Sequence, residues 1–365
     1  MADRLRIGVI GANPTQSWAK RGHLPAILAM QEELELAAVC TTREETARES
    51  ARIYGARHHF ADFRELIACE DVEVVVVSVR APRHYQPTMA ALAAGKHVYT
   101  EWPLGANLAE AEAMAAAART APGTSIIGLQ GRHAPIYRRL KELADEGFFG
   151  EVLAIQIGSC GGGLLDKESQ ASWRADARNG AHNGTIGFGH LIEPVYHCFG
   201  PIRDVSGVWR TQAPRWLEQD TGRTIDATAP DTVFMQGSTD AGTAVLAYEH
   251  SVPWHPGGYR FEIYGREQTA AIHADERFGD LKLMVGGRGD ERLAEMPVPD
   301  RLTRVLHSRE RDRPFGVAQI WSHYAEAIRS GAPAEPDFEL ALDLHRLIDA
   351  LERASDTGTR QVVAR

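Results

Sequence analysis

Apolar and polar positions in the first third of the chain form short apolar runs separated by amphipathic stretches. RLRIGVIG is an almost continuous apolar run ended by glycine, the pattern of a parallel strand buried on both faces. A helix through HLPAILAM follows, then LELAAVC as a second strand and ETARESARIYG as a helix stopped by Gly55. HHFADFRELIAC gives a short strand and helix, and the valine-rich VEVVVVSV is the strongest strand of the chain. QPTMAALAA, KHVYTE, LAEAEAMAAAART and SIIGLQG extend the alternation to about residue 130. Strand and helix in turn predict a parallel sheet with right-handed crossovers, the doubly wound arrangement that binds nucleotides.

After PIYRRLKELADEG, a helix stopped by Gly147, the pattern changes. VLAIQIGS, DVSGVWR, TVFMQGS, GTAVLAYEH, YRFEIYG and TAAIHA are short strands spaced as in a meandering antiparallel sheet. FGVAQIWSHYAEAIRSG and FELALDLHRLIDALERAS are amphipathic helices. The expected fold is an α/β Rossmann domain over residues 1–128, followed by an α+β domain over 129–365 with a large open, mainly antiparallel sheet. Its closing helices are free to pack back on the first domain. The open face of such a sheet calls for a symmetric partner, so a homodimer or a dimer of dimers is expected. The loop from Gly161 to Phe188 is long enough to carry function. Trp254 and His255, in SVPWHPGGY, fit a hairpin tip or a dimer contact.

Composition changes this picture little. The 365 residues suffice for two cores, and 44% apolar with 24% charged residues is ordinary for a globular protein. No apolar run reaches the roughly 18–20 residues that span a bilayer, so no membrane partner is expected. The net charge of -9 and the lack of a basic stripe argue against nucleic acid. MADRLRIGVIG enters a strand at once, which leaves no room for a signal peptide. Cys40, Cys69, Cys160 and Cys198 have no pairwise metal or redox spacing, and the histidines lack paired ligand spacing. A reduced cytoplasmic protein without a metal is the expectation.

RIGVIGANPTQSWAKRGHLPAI lies where a glycine-rich phosphate loop belongs, yet only Gly11 matches cleanly. Asn13 takes the second glycine position and tolerates positive φ better than most residues. Gly11, Ala12, Asn13, Ser17 and Trp18 are the candidates to approach a pyrophosphate here, with Ser78 and Arg80 after the valine strand. The second strand ends in Thr41, Thr42 and Arg43 where an NAD site places a carboxylate for the ribose hydroxyls. Hydroxyls and a guanidinium fork suit a 2′-phosphate, which favours NADP over NAD. In the bland alternative, Thr41 caps the following helix and Arg43 is solvated. Gln130 and Arg132 sit where the two predicted domains join, and Trp173, Arg174 and His182 fall in the long loop. Together they suit a polyhydroxylated small molecule, with an aromatic platform and several donors.

RIGVIGA, HLPAIL, APRHYQPTMAALAAGKHVYTEWPL, YRRLKELADEGFFGEVLAIQI and LALDLHRLIDALERASDTGTRQVV, in that order, resemble the glucose-fructose oxidoreductase/inositol dehydrogenase/MocA family over nearly the whole chain. ANPTQSW, EWPL, LQGR, FGHLIE and PDTVFMQG are similar to its galactose-regulon-repressor branch. The resemblance implies a nicotinamide cofactor, a sugar, cyclitol or polyol substrate, and a peptide before Pro103 that is often cis. The family lysine after the glutamate is Trp102 here, beside Glu101, and the first aspartate of the family's DxGxHxxD segment is Ile186. His190 matches the histidine of that segment and Glu193 its last acid, so His190 is the candidate acid/base, helped by Glu193 or His182. Trp102 either stacks on a ring or fills the space of the lysine as packing. His84 matches a family histidine near the cofactor, or else caps the next helix. Three functions stand open on this reading. They are an NAD(P)-dependent oxidoreductase, a catalytically silent dinucleotide-binding sensor, and a glycosidase using tightly held NAD without net redox change.

Overall fold

A computed structural model describes residues 4–278, 281–305 and 313–365. Its first elements are β1 (Leu5–Ile10), α1 (Trp18–Arg21), α2 (His23–Ala29), β2 (Leu34–Cys40), α3 (Glu44–Tyr54), β3 (His58–Phe60) and α4 (Phe63–Ala68). β4 (Val74–Val77), α5 (Tyr85–Ala93), β5 (His97–Glu101), α6 (Leu108–Thr120) and β6 (Ser125–Gly128) complete the alternation. Among the described residues the strands form one six-stranded sheet in the order β3-β2-β1-β4-β5-β6. Every pair in it is parallel. β4 is four consecutive buried valines, which is why its periodicity reads as neither strand alternation nor helix. Strand order reverses between β1 and β4, and an open α/β sheet takes its ligands at the carboxyl ends on either side of that reversal.

The chain continues with α7 (Pro135–Asp145), β7 (Val152–Gly161), β8 (Asp166–Lys167), α8 (Phe188–Phe199), β9 (Ile202–Arg210), β10 (Arg215–Glu218), β11 (Thr224–Asp226) and β12 (Thr232–Thr239). β13 (Ala244–Ser251), β14 (Gly258–Gly265), β15 (Gln268–Ala274), β16 (Met284–Gly287) and β17 (Ala294–Glu295) follow, then α9 (Arg313–Ser330), α10 (Phe338–Thr357) and β18 (Gln361–Val362). A nine-stranded sheet among the described residues runs β17-β16-β15-β14-β7-β13-β12-β9-β18. It is mainly antiparallel, as expected, but it does not meander in sequence order. β7 lies between β14 and β13 and pairs parallel with β13. Alternation explains that central place: Ile155 and Ile157 are each 1% exposed on the covered face, while Gly158 leaves room for the Tyr248 ring on the other. β8, β10 and β11 form a separate small sheet.

Two compact units result. One runs to His133 and takes back 303–342; the other holds 134–302 and 343–365. The first unit therefore extends past the expected boundary at residue 128 and includes α9. Val317, Ile320, Trp321 and Tyr324 of α9 are fully buried in one core with Ile7, Val9, Val74 and Val76. Full burial of side chains this large contributes roughly 2–3 kcal/mol each, which holds α9 on the sheet. In the second unit, Tyr137 of α7 donates to the hydroxyl of Tyr259 on β14 at 2.8 Å. The opposite face of the large sheet leaves Val208, Phe234, Leu246 and Tyr264 exposed. No helix among the described residues is long and apolar enough to cross a membrane.

Candidate active site

The site is built first from the strand ends of the first unit. Gly11 follows β1 with φ +94°, and a Cβ there would lie 2.2 Å from the carbonyl oxygen of Ser78. Only glycine lets the two strand ends meet in this way. Asn13 Oδ1 accepts the N–H groups of Thr15 and Gln16 at 2.9 and 3.1 Å, an Asx turn that organises the inserted loop. Ser17 accepts from the N–H of Lys20 at 3.0 Å and so caps α1. The Trp18 indole N–H and the Ser78 hydroxyl are buried without a hydrogen-bond partner. Buried polar atoms are rarely left so. Two of them, beside a glycine-only turn at the ends of β1 and β4, fit the ribose and phosphates of a dinucleotide.

At the end of β2 the three predicted residues divide. Thr41 is 7% exposed and its hydroxyl is already held by the Arg43 carbonyl at 2.8 Å and the Thr46 hydroxyl at 2.6 Å, an arrangement that starts α3. Thr42 and Arg43 are exposed, as is Arg80 beyond β4.

β5 ends at Glu101, which is 8% exposed and meets His23 Nε2 at 2.7 Å. The other ring nitrogen of His23, Nδ1, accepts from the Trp321 indole N–H at 3.2 Å. Indole is only a donor, so Nδ1 carries no proton and Nε2–H donates to the carboxylate. Gly128 on β6 leaves the space on the other side, since a Cβ there would lie 2.7 Å from Glu101 Oε2. The Trp102–Pro103 peptide is cis. His84 braces this turn: its Nδ1 meets the Pro103 carbonyl at 2.8 Å and its Nε2 the Val79 carbonyl at 3.0 Å. Burial pushes the His84 pKa below its ordinary value despite those carbonyls. His84 starts α5 without capping it by its side chain. Trp102 is itself 4% exposed. Protein already covers most of its indole, which favours packing over stacking on a ligand ring.

In the second unit the long loop is not irregular throughout. It contains β8, two 3-10 turns (Ser169–Ala175 and Ala177–Asn179) and a π turn, Asn183–Gly187, that runs into α8. α8 carries His190 and the buried Glu193, and Ile186 lies half-buried in the π turn. The His190 ring meets Phe278 edge-on at 5.7 Å. Burial, with the nearby Arg277 guanidinium, pushes its pKa down to about 3. Arg277 is held in turn by the Gly187 carbonyl at 2.7 Å and by the Glu249 carboxylate. His190 is therefore neutral across the working pH range: always able to accept a proton, though as a weak base.

Gfo/Idh/MocA membership is decided by comparison with known proteins. The model of the oxidoreductase family with an NAD-binding Rossmann fold matches residues 5–129, and that of the Gal80p C-terminal domain matches 135–273. The dehydrogenase aclE of Aspergillus oryzae is 30% identical over 279 residues, 73% of this chain and 76% of that one. The chain belongs to the Gfo/Idh/MocA oxidoreductase family. The galactose/lactose metabolism regulatory protein GAL80 of Saccharomyces cerevisiae is 25% identical over 80% of this chain and 68% of its own. The scyllo-inositol 2-dehydrogenase (NADP+) IolW of Bacillus subtilis is 24% identical over 97% of this chain and 94% of its own.

Within this Gfo/Idh/MocA chain, Gln130 and Arg132 belong to the first unit. Both are buried in the 3-10 turn after β6, where Arg132 pairs with Glu335 at 2.8 Å. Trp173, Arg174, His182 and His190 belong to the second unit. Arg174 and His182 line one small cavity there, with Lys167, Asn183, Trp216 and Asp231. Arg174 Nε donates to the Ala181 carbonyl at 3.1 Å, and Asn179 donates to the Trp173 carbonyl. Burial, with Arg174 nearby, pushes the His182 pKa down to about 3. Sequence reasoning missed His23, Trp321, Lys167 and Trp216. Lys167 lies inside the loop already marked as functional, so a cation in LLDKESQ was a usable signal. The other three carry no local signal.

Proposed function

We propose that this protein is an NAD(P)-dependent oxidoreductase of a sugar, cyclitol or related polyol, with NADP(H) preferred. The observation that carries the reading is the clamped turn at the end of β5. There a buried carboxylate is fixed by His23 and Gly128, at the strand ends of a family-matched NAD-binding unit. When bound, the nicotinamide supplies or accepts the hydride, and the protein need only bind, orient and move a proton. Gly11, Ser78 and Trp18 would hold the dinucleotide's polar middle, and Glu101 would fix its nicotinamide end. The exposed Thr42 and Arg43, where β2 gives way to hydroxyls and a guanidinium rather than ending in an acid, support the 2′-phosphate assignment. IolW, an NADP+ enzyme acting on a cyclitol, adds support for both cofactor and substrate class.

With Trp102 at the lysine position, no ammonium polarises the substrate oxygen there. Proton handling then falls to His190, which as a neutral ring accepts the hydroxyl proton as hydride leaves, with Glu193 on the same helix. The exposed apolar face of the large sheet supports a homodimer: Phe234, Tyr248 and His250 cluster on it, with ring centroids 5.4–6.4 Å apart. Four free cysteines support a reducing, cytoplasmic setting.

The second reading, a dinucleotide-binding sensor without turnover, is favoured by the Gal80p-like second domain together with Trp102 and Ile186. A panel of aldoses, cyclitols and polyols with NADP+ and NAD+, followed by absorbance at 340 nm, separates the two. Substrate-dependent reduction supports the enzyme. Cofactor binding with a silent panel supports the sensor, and cleavage of glycosides under that silence supports the redox-neutral glycosidase.

A further inference from the structure

β13 carries an acid in an apolar row. Val245, Ala247 and Glu249 alternate onto the covered face of the large sheet, and all three are buried. Burial raises the Glu249 pKa, and the Arg277 charge and hydrogen bonds from Arg277 and Ser159 oppose that rise. Ser159 is the register partner of Glu249 on β7. Arg277, just past the end of β15, is the counter-ion, and the side chains of the pair are each 10% exposed. A buried ion pair seldom stabilises a fold more than well-packed apolar residues would, so stability alone does not account for it.

The pair closes on one piece of backbone, the end of the π turn that feeds α8. Arg277 donates through Nη1 to the Gly187 carbonyl at 2.7 Å and through Nη2 to Glu249. Gly187 has ordinary helical dihedrals, φ -63° and ψ -53°, so its backbone does not require glycine. Space does: a Cβ there would lie 2.7 Å from Glu249 Oε1 and 3.0 Å from its Cγ. Arg277 holds that carboxylate, so it is not free to swing aside. His190 follows in the first turn of α8. Phe278, next to Arg277, meets the His190 ring edge-on at 5.7 Å, and the Arg277 guanidinium lies 5.9 Å from the same Phe278 ring. Burial, with the Arg277 charge, keeps His190 neutral. The other ionisable groups around this joint are Glu249, Glu193 on α8, and the Tyr137–Tyr259 hydroxyl pair, which also feels Arg277. Arg277 is the one cation among them.

We propose that Arg277, locked by Glu249 against Gly187, is the positioning residue of His190: it fixes the entry of α8, aims the ring, and keeps a positive charge beside it. The proposal rests on the oxidoreductase reading for what His190 then does, which is to accept a hydroxyl proton, but the placement itself is read without turnover. The test uses the full chain and three variants: Arg277→Lys, Arg277→Met, and Arg277→Met combined with Glu249→Gln. The combined variant removes both charges at nearly constant shape, so no ion is left stranded in the core. Folding is checked by circular dichroism. NMR of isotope-labelled histidine follows the His190 ring from about pH 8 to about pH 4, with His190→Ala giving the assignment. Both neutral variants should raise the His190 pKa by about one unit or more, and Arg277→Lys by less than about half a unit. Displacing a reacting group by about 1 Å costs about 10²-fold, so kcat on a polyol of the panel should fall about that far in both neutral variants, with NADPH affinity held within about 2-fold.

An unmoved His190 titration in the folded combined variant overturns the proposal, whether or not the protein turns over any polyol. An unmoved kcat in that variant overturns it as well. So does a rise in Arg277→Lys equal to that in Arg277→Met, which would make Arg277 a packing group whose charge is idle. A silent panel with the unaltered protein, together with the expected shifts in titration, supports the placement and removes the oxidoreductase reading. Turnover by the unaltered protein with no shift in any variant does the reverse.

Discussion

Replacing His23 by Phe keeps a ring of similar size in the core but removes both of its hydrogen bonds. Glu101, 8% exposed, loses the N–H that reaches it at 2.7 Å, and the Trp321 indole N–H loses its acceptor at 3.2 Å. A hydrogen bond to a charged group contributes about 1.5–3 kcal/mol, and an orphaned buried donor costs about 1–3 kcal/mol. The two share one partner and do not simply add, so a loss of about 3 kcal/mol is expected. For a unit of this size that corresponds to a fall of roughly 6–12 °C in melting temperature, measurable by circular dichroism. NADPH affinity, read by fluorescence titration, should fall with it, because Glu101 is no longer held. Adding Glu101→Leu should return much of the lost stability without restoring the cofactor site, since removing both partners costs less than stranding one. A melting temperature within about 2 °C of the unaltered protein for His23→Phe, or a double variant that loses the sum of both single effects, would refute the clamp.

Three other perturbations follow from the same geometry. His190→Ala should lower turnover by roughly 10²–10⁴-fold while cofactor affinity holds; unchanged turnover removes His190 from the mechanism. Because the His190 pKa lies near 3, turnover should lack the fall near pH 6.5 that an ordinary histidine base gives, and such a limb would contradict the burial argument. Arg43→Ala should weaken NADP(H) binding and spare NAD(H), and equal effects on both would sink the phosphate assignment. His182, His190 and His345 are held near 3, 3 and 4 by burial against an ordinary 6.5. Below 6.5 the unfolded chain binds protons that the folded one refuses, so stability falls as pH drops from about 6.5 toward 3. The slope is up to about 1.4 kcal/mol per pH unit for each histidine. Glu249, whose pKa burial raises, works in the opposite sense. Urea midpoints at pH 7 and pH 5 read the net effect, and an equal midpoint at both would contradict it.

The Rossmann unit was legible because its information is local. The valines of β4, the stop at Gly55 and the alternation of strand and helix each sit within one short window. The same holds for Gly11, whose positive φ follows from strand-to-helix geometry. The place of α9 was not legible, because amphipathic spacing tells which face is buried and not against what. Trp321 reaches His23 across 298 positions of sequence, and no periodicity encodes that partner. The cavity is similar: Lys167 on β8 and Trp216 on β10 meet only through a small sheet whose strands are too short to be seen in the pattern. Spacing also did not show that Thr41 and His84 turn inward onto backbone carbonyls or that Trp102 is covered, because burial depends on the whole fold.

The central claim is that this chain moves a hydride, despite tryptophan at the lysine position. The most direct measurement is a single turnover, with protein in excess over NADPH or NADH, reduced nicotinamide followed by fluorescence, and keto-sugars and sugar lactones added in turn. Slow catalysis cannot hide in this format. Loss of reduced nicotinamide matched one-for-one by reduced carbonyl is the predicted result. Tightly bound cofactor that keeps its redox state under every addition would contradict the claim and leave the protein a sensor or a redox-neutral glycosidase.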